Sequence, residues 1–153
     1  MTAPLHIRPA TRADLPGILA IFAADDVGGH AEYRELAAMT VYEQVFDRIA
    51  ASSDNALFVA LLDTRIVGTF QLTVIPGLIN HGLLRAKLES VHVLAENRSQ
   101  GIGERMVRHA LDEARRRGAG MMELSSNKKR LAAHRFYERL GFVRSHEAFK
   151  LML

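Results

Sequence analysis

Between Leu88 and Leu111 the chain reads LESVHVLAENRSQGIGERMVRHAL, and this stretch constrains the fold more than any other. It opens as an apolar strand, passes through a turn carrying Gly101 and Gly103, and ends with the periodicity of a helix. Such a turn offers free backbone N–H groups and a helix N-terminus to an anion. Glycine also lets a backbone approach a phosphate closely. The P-loop pattern GxxxxGK[ST] is absent, and GxGxxG fails because Gly103 is followed by Glu104-Arg105-Met106. Two readings stay open on the residues alone: a site for a pyrophosphate-bearing ligand of another kind, or a tight turn into a capped helix.

The flanking sequence builds a frame around this unit. His6–Pro9 reads as an opening strand, with Thr11 as N-cap and Asp14 in the first turn of a helix. Leu15, Ile18, Leu19 and Phe22 make its apolar face, and Pro16 falls where a missing N–H costs little. A second helical region presents Tyr42, Val45, Phe46 and Ile49. Leu57 to Leu62 is apolar on both faces and suits a strand covered on both sides. Asp63-Thr64-Arg65 is a hairpin connection to an alternating strand, Ile66 to Ile75, which Pro76-Gly77 ends. Leu84 to Leu94 is the next strand. Glu104 to Arg117 is helical, with Met106, Ala110, Leu111 and Ala114 inward and Gly118 as its cap. A short strand from Met121 to Ser125, a helix from Leu131 to Leu140 closed by Gly141, and two short closing strands from Phe142 onward complete the order. The expectation is an α/β (α+β) chain. Its central sheet is mixed but mostly antiparallel, with about six to seven strands flanked by about four helices, in one domain over 1–153.

Composition narrows the chemistry. The 153 residues are 48% hydrophobic and 24% charged, close to a soluble globular average. No apolar run reaches the roughly 18–20 residues of a membrane span, and MTAPLHIRPA lacks the pattern of a signal peptide, so a cytoplasmic protein is expected. Cysteine is absent, which excludes disulfides, thiolate metal sites and a cysteine nucleophile. The net charge of +3 does not by itself imply nucleic acid. Arg115-Arg116-Arg117 reads as the cationic last turn of a helix, and the basic residues are not interleaved with stacking aromatics.

Two segments carry a resemblance. Arg98-Ser99-Gln100-Gly101-Ile102-Gly103 resembles the Arg/Gln-x-x-Gly-x-Gly/Ala signature of the GNAT superfamily of N-acetyltransferases. Ala133-His134-Arg135-Phe136-Tyr137-Glu138-Arg139-Leu140-Gly141-Phe142 is similar to its second motif, an Ala-x-x-Phe/Leu-Tyr segment ending in Gly-Phe. The order and separation of the motifs agree with the superfamily. The half from Leu88 to Leu153 carries nearly all of the likeness. The run from Leu124 to Arg130, with Ser145-His146 further on, looks closest to small-molecule amine acetylases of the aminoalkylphosphonate type.

The resemblance implies acetyl-CoA as co-substrate. Its pyrophosphate would rest on the amides of Arg98, Ser99, Gln100, Gly101, Ile102, Gly103 and Glu104. Its pantetheine arm would pair with Val91, His92 and Val93 as an added strand does, and a backbone N–H there would polarise the thioester carbonyl. Asn127, His134, Phe136 and Arg139 would line the other side. Arg130 stands where many members carry asparagine, which leaves the contact of Asn127 open. Tyr137 takes the superfamily's tyrosine position, as the acid that protonates the departing thiolate. Glu89 is the candidate base, placed by alternation on one face with Val91 and Val93; the competing reading pairs it with Lys87 or Arg85.

His30, His81, His92 and His146 are further candidates for a base or a substrate contact, and none belongs to an HExxH pattern, so no metal is expected. The loop Asp25 to His30, with its acidic pair, suits a cationic amine or is a solvated turn. The implied reaction is acetyl transfer to the primary amine of a small molecule by direct attack in a ternary complex. The alternatives are acetylation of a protein N-terminus or lysine, for which the connection Pro76 to Arg85 could form a groove, and a CoA-binding module without catalysis. No nucleic-acid or membrane partner is expected, and a homodimer is one option that the resemblance leaves.

Overall fold

The computed structural model describes residues 4–25 and 39–153. The chain divides into two compact units, Met1–Glu123 and Leu124–Leu153.

In the first unit, five strands form one sheet in the order β1-β2-β3-β4-β5: β1 (Leu5–Pro9), β2 (Asn55–Leu62), β3 (Arg65–Ile75), β4 (Arg85–Val93) and β5 (Met121–Glu123). The first four pair antiparallel, and β4 pairs β5 in parallel. The parallel step needs a crossover, which α4 (Ile102–Arg116) supplies. The helices α1 (Leu15–Ala23) and α2 (Met39–Ala50) precede β2; α3 (Ile79–Gly82) is one kinked turn in which Asn80 and His81 have positive φ.

Alternation decides what each strand buries. Phe70, Leu72 and Val74 on β3 are buried, while Gln71 and Thr73 are half-buried, as the period of two requires. The alternation fails from Val67 to Phe70, which are all buried. There the sheet is covered on both faces, by α1 on one side and α4 on the other. Ile18 of α1 packs with Val59 and Leu61. On the α4 side Phe58 and Phe70 stack at 4.9 Å, with the His109 ring edge-on to Phe58. Burial lowers the His109 pKa, with Arg116 adding to the effect. Thr69, fully buried on the α1 face, is satisfied by donating to the Phe58 carbonyl at 2.8 Å.

The start of α1 is fastened by charge. The Asp14 carboxylate accepts two hydrogen bonds from the Arg8 guanidinium, at 2.7 and 3.0 Å, and one from the Thr11 N–H at 2.7 Å. Arg8 beside it holds the Asp14 carboxyl down at about 2. At the far end of the crossover, Glu113 is buried and bound by Arg116 and by Arg117 Nε at 2.7 Å. Arg115 pairs with Asp112 at 2.9 Å. The arginine triplet is therefore the ion-paired end of α4, as its sequence suggests.

Three expectations need correction. The sheet has five strands among the described residues, not six to seven, because 142–153 form no strand. Val143, Phe149, Leu151, Met152 and Leu153 are exposed. Val143, Phe149, Leu151 and Leu153 share one parity, so the pattern alone reads as a strand face; what is missing among the described residues is a ladder neighbour to fix the segment. The described helices number five, against about four expected, since α3 was read as part of a loop. On α2, Val45 is 47% exposed; the inward stripe is Tyr42, Phe46 and Ile49, spaced by four and three, and Val45 falls off it.

The second unit contains α5 (Leu131–Arg139), ended by Gly141 at φ +95°. Tyr137 lies edge-on between Phe136 and Phe142, with centroids 5.0 and 5.7 Å away.

Candidate active site

Strand β4 is paired on both sides only at its start. Arg85, Ala86 and Lys87 face Met121, Met122 and Glu123 of β5, and the parallel ladder stops there. From Leu88 to Val93 the β5-side edge of β4 has no ladder partner among the described residues of this unit. Its backbone N–H and C=O groups are a template for an extended amide-bearing ligand.

That edge runs into the glycine turn. Ser99 has φ +60° and Gly101 φ +77°, and the helix starts at Ile102. A left-handed residue followed by helical ones points successive N–H groups into one concavity. The first intrahelical bond from this end is Arg105 N–H to Gly101 O, at 3.1 Å, and no side chain caps the helix. The N–H groups of Ile102, Gly103 and Glu104 are therefore left to an outside acceptor, at the positive end of a fifteen-residue helix. The side chains around them are tied back. Arg98 Nε donates to Val93 O at 3.0 Å, Gln100 Nε2 to Glu96 O at 3.1 Å, and Glu104 accepts from Arg108 at 2.7 Å. These bonds hold the turn in shape and leave its amides facing out.

The strand upstream is not regular. Opposite β3, Thr69 faces His92 and Gln71 faces Glu89, so Phe70 alone opposes Ser90 and Val91. This is a β-bulge, and Ser90 has φ +53°. The bulge changes the face assignment. Residues three apart on a regular strand point to opposite faces. Here Glu89 and His92 share the Thr69–Gln71 face, while Val93, opposite Gly68, lies on the other. The expectation that Glu89 shares a face with Val93 is corrected accordingly. Glu89 is half exposed, and Lys87 Nζ lies 3.0 Å from its Oε1, so the ion pair with Lys87 is present; Arg85 is engaged with Glu123 instead.

Sequence reasoning missed one partnership on this face. His92 Nε2 is 3.1 Å from Oδ2 of Asp25, just beyond α1, and the Phe22 ring meets the imidazole edge-on at 5.1 Å. Asp25 is buried, although it looked like half of a solvated acidic pair. No local signal joins two residues 67 positions apart.

The remaining candidates lie elsewhere. In the second unit, Asn127 Oδ1 accepts from Lys129 N–H at 2.9 Å, and its main-chain oxygen accepts from His134 Nε2 at 2.9 Å. Arg139 sits over the Phe136 ring at 5.6 Å. Burial pushes the Tyr137 phenol up to about 12. Asn127, His134, Phe136, Tyr137 and Arg139 thus form one cluster on α5 and the loop before it, while Glu89, Val91, His92, Val93 and 98–104 form a continuous run in the first unit. His81 is exposed in the α3 turn, and His146 is exposed with Nδ1 against Ser145 Oγ at 2.7 Å. His30, with the loop after Asp25, lies outside the described residues. Among the described residues no cluster of three metal-ligating side chains occurs, and no helix is long and apolar enough to cross a membrane.

Comparison with known proteins gives the family. A solved structure described as a transcriptional regulator from Bacillus halodurans C-125 is 37% identical, with a TM-score of 0.91 over 98% of this chain and 100% of that one. A putative acetyltransferase from Agrobacterium tumefaciens is 28% identical, with a TM-score of 0.84 over 97% and 99%. An aminoalkylphosphonate N-acetyltransferase of Salmonella typhimurium is 38% identical over 90 residues, which is 59% of this chain and only 58% of that protein's length. The pattern of the Acetyltransferase (GNAT) family matches residues 19–142, which takes in the open β4 edge, the glycine turn and α5, and the chain belongs to that family.

Proposed function

We propose that this chain is an acetyl-CoA-dependent N-acetyltransferase that acetylates the primary amine of a small molecule, with 1–153 acting as one catalytic domain in the cytoplasm. The observation that carries the reading is the continuity of the open β4 edge with the uncapped start of α4. A ligand that pairs along Val91–Val93 meets the free amides of 102–104 at its end, which suits an amide-bearing arm terminating in a pyrophosphate. Acetyl-CoA has that chemistry. Asn127, His134, Phe136 and Arg139 contribute contacts to it, by the family resemblance of their motif.

A primary amine, with a pKa near ~10, arrives as an ammonium at neutral pH and must lose a proton. Glu89 meets it as the base. The amine attacks the thioester carbon directly, with a β4 N–H polarising the carbonyl, and Tyr137 protonates the departing sulfur. A phenol raised to about 12 is fully protonated at working pH, so its proton is present when the sulfur departs, although burial makes it a weaker acid than an ordinary phenol. The likeness to an aminoalkylphosphonate N-acetyltransferase supports small amines bearing an anionic group as the acceptor class. The enzyme works as a monomer or homodimer under this scheme.

The test is thiol release at about pH 8 with acetyl-CoA and a panel of aminoalkylphosphonates, polyamines, aminoglycosides, amino acids and peptides. Thermal shift is read alongside; a ligand at about 100 times its Kd adds roughly 2.7 kcal/mol. Turnover with one small amine is expected. Turnover confined to peptides would make the chain a protein acetylase. Stabilisation by acetyl-CoA without any turnover would favour a binding module, and the absence of both in folded protein would refute the site.

A further inference from the structure

We propose that Asp25 and His92 form a proton-accepting dyad: the proton that leaves the amine ends on His92 Nδ1, with Asp25 positioning the ring. This rests on the acetyltransferase reading above and assigns a step within it.

The pair has a definite polarity. A carboxylate oxygen only accepts, so Nε2, 3.1 Å from Asp25 Oδ2, carries the ring proton. Nδ1 is left with its lone pair. It is sealed from solvent and has no hydrogen-bond partner among the described residues. A buried acceptor without a donor is costly and marks a place where a donor is meant to arrive. The side chain of Asp25 is only 4% exposed, and its charge gains when the ring becomes an imidazolium beside it.

The placement fits the chemistry. The β4 bulge puts His92 on the same face as Glu89, opposite Thr69 and Gln71, which are two residues apart and therefore about 7 Å. The β4 backbone at His92 also forms part of the edge assigned to the pantetheine arm. Glu89, half exposed and paired with Lys87, attracts the ammonium. An imidazole is by nature a stronger base than a carboxylate, and so the better terminus for an ammonium proton. The charged groups on this face, among the described residues, are Asp25 after α1, Glu89, Lys87 and Arg85 on β4, Glu123 on β5 opposite Lys87, and Arg8 on β1 opposite Val59, where it is paired with Asp14; β3 and β2 present Thr69, Gln71, Thr73, Asn55, Leu57 and Val59, all uncharged.

The step balances. R–NH3+ gives one proton to Nδ1, through Glu89 or a water. The freed lone pair attacks the thioester carbon, the C–N bond forms, and the C–S bond breaks with its electron pair leaving on sulfur. The nitrogen's second surplus proton goes to that sulfur by way of Tyr137. The imidazolium then passes its proton back along the same relay, through half-exposed Glu89, to solvent, and the products are the amide, CoA thiol and one proton.

The experiment compares wild type, His92→Gln and Asp25→Asn with the best amine of the panel, reading kcat, the KM for acetyl-CoA, thermal stability and the rate from pH 7 to 9.5. His92→Gln is expected to lose about 100-fold in kcat, with the KM for acetyl-CoA within twofold. Asp25→Asn should lose about tenfold. Both deficits should shrink as pH rises, because more of the amine arrives already deprotonated; a merely structural role would leave them constant. A His92→Gln rate within threefold of wild type, or a deficit independent of pH, overturns the dyad alone. If His92→Gln does not fold, Asp25→Asn carries the same test. No thiol release by folded wild type with any amine overturns the parent reading, and the dyad with it.

Discussion

Replacing Asp14 by asparagine removes one negative charge from the start of α1 and keeps the shape of the side chain. The carboxyl has a pKa of about 2 in the fold, against an ordinary 3.8, chiefly because Arg8 donates to both of its oxygens. The difference of 1.8 (3.8 minus 2), at about 1.36 kcal/mol per unit, is worth about 2 kcal/mol. Arg8 is 32% exposed, so water trims the figure, while the Asp14 side chain is only 9% exposed. Because the folded-state pKa is depressed, the stabilisation is complete above the unfolded value and disappears as pH falls through about 2. At pH 7, Asp14→Asn should therefore lower stability by about 2 kcal/mol in urea denaturation, or Tm by about 4–8 °C. Roughly half of the gap should remain at pH 3 and little at pH 2. A loss below about 0.5 kcal/mol at pH 7, or a loss that does not change with pH, would refute the assignment of this stability to the Arg8–Asp14 charge pair.

Other substitutions probe the site and its support. Gly101→Ala meets no atom within 4 Å of the added carbon, so its whole cost is the φ of +77°; about 1 kcal/mol of stability and a weaker acetyl-CoA affinity are expected from denaturation and titration. Tyr137→Phe should reduce kcat about 100-fold at nearly constant acetyl-CoA KM, with a smaller deficit when the leaving thiol is more acidic. The phenol's value of about 12 also means that Tyr137 ionisation produces no alkaline fall in rate up to about pH 10, as a pH–rate profile would read. Thr69→Val deletes the hydroxyl that donates to Phe58 O in a fully buried site, and about 1 kcal/mol of destabilisation should appear in urea melts.

Much of this structure is legible locally. The hairpin at Asp63, the break at Pro76-Gly77, the glycine turn before α4 and the Gly118 and Gly141 caps follow from backbone preferences of single residues, which do not depend on the rest of the fold. Amphipathic periodicity located α1 and α4, because each buries one stripe against one sheet face. It misassigned Val45 on α2, since an apolar residue one step off the stripe looks the same in sequence as one on it. It also missed Glu113: a carboxylate on the inward side of α4 is tolerated only because two arginines of the last turn cover it. The strands expected from Phe142 onward failed for a related reason. Strand formation depends on a partner, and an apolar segment does not name one.

The face that carries Glu89 and His92 depends on the least legible feature of all. A strict period of two puts Glu89, Val91 and Val93 together and sends His92 to the other side. One extra residue at Ser90–Val91 reverses that assignment for everything beyond it. Nothing in LESVHVL announces the insertion: Ser90 is not a glycine, yet it adopts φ +53°. Only the register shows it: Thr69 and Gln71, fixed against β2 opposite Val59 and Leu57, face His92 and Glu89 with two residues between them. The bulge brings an imidazole beside a carboxylate on one face and turns it toward Asp25 at the end of α1. It does so on the same strand whose far edge is left open to a ligand. A regular strand with the same residues would present that edge and lose the pair. The motif residues of the glycine turn therefore carry the family resemblance, whereas the pairing of His92 with Asp25 is set by a backbone irregularity that only the folded register reveals.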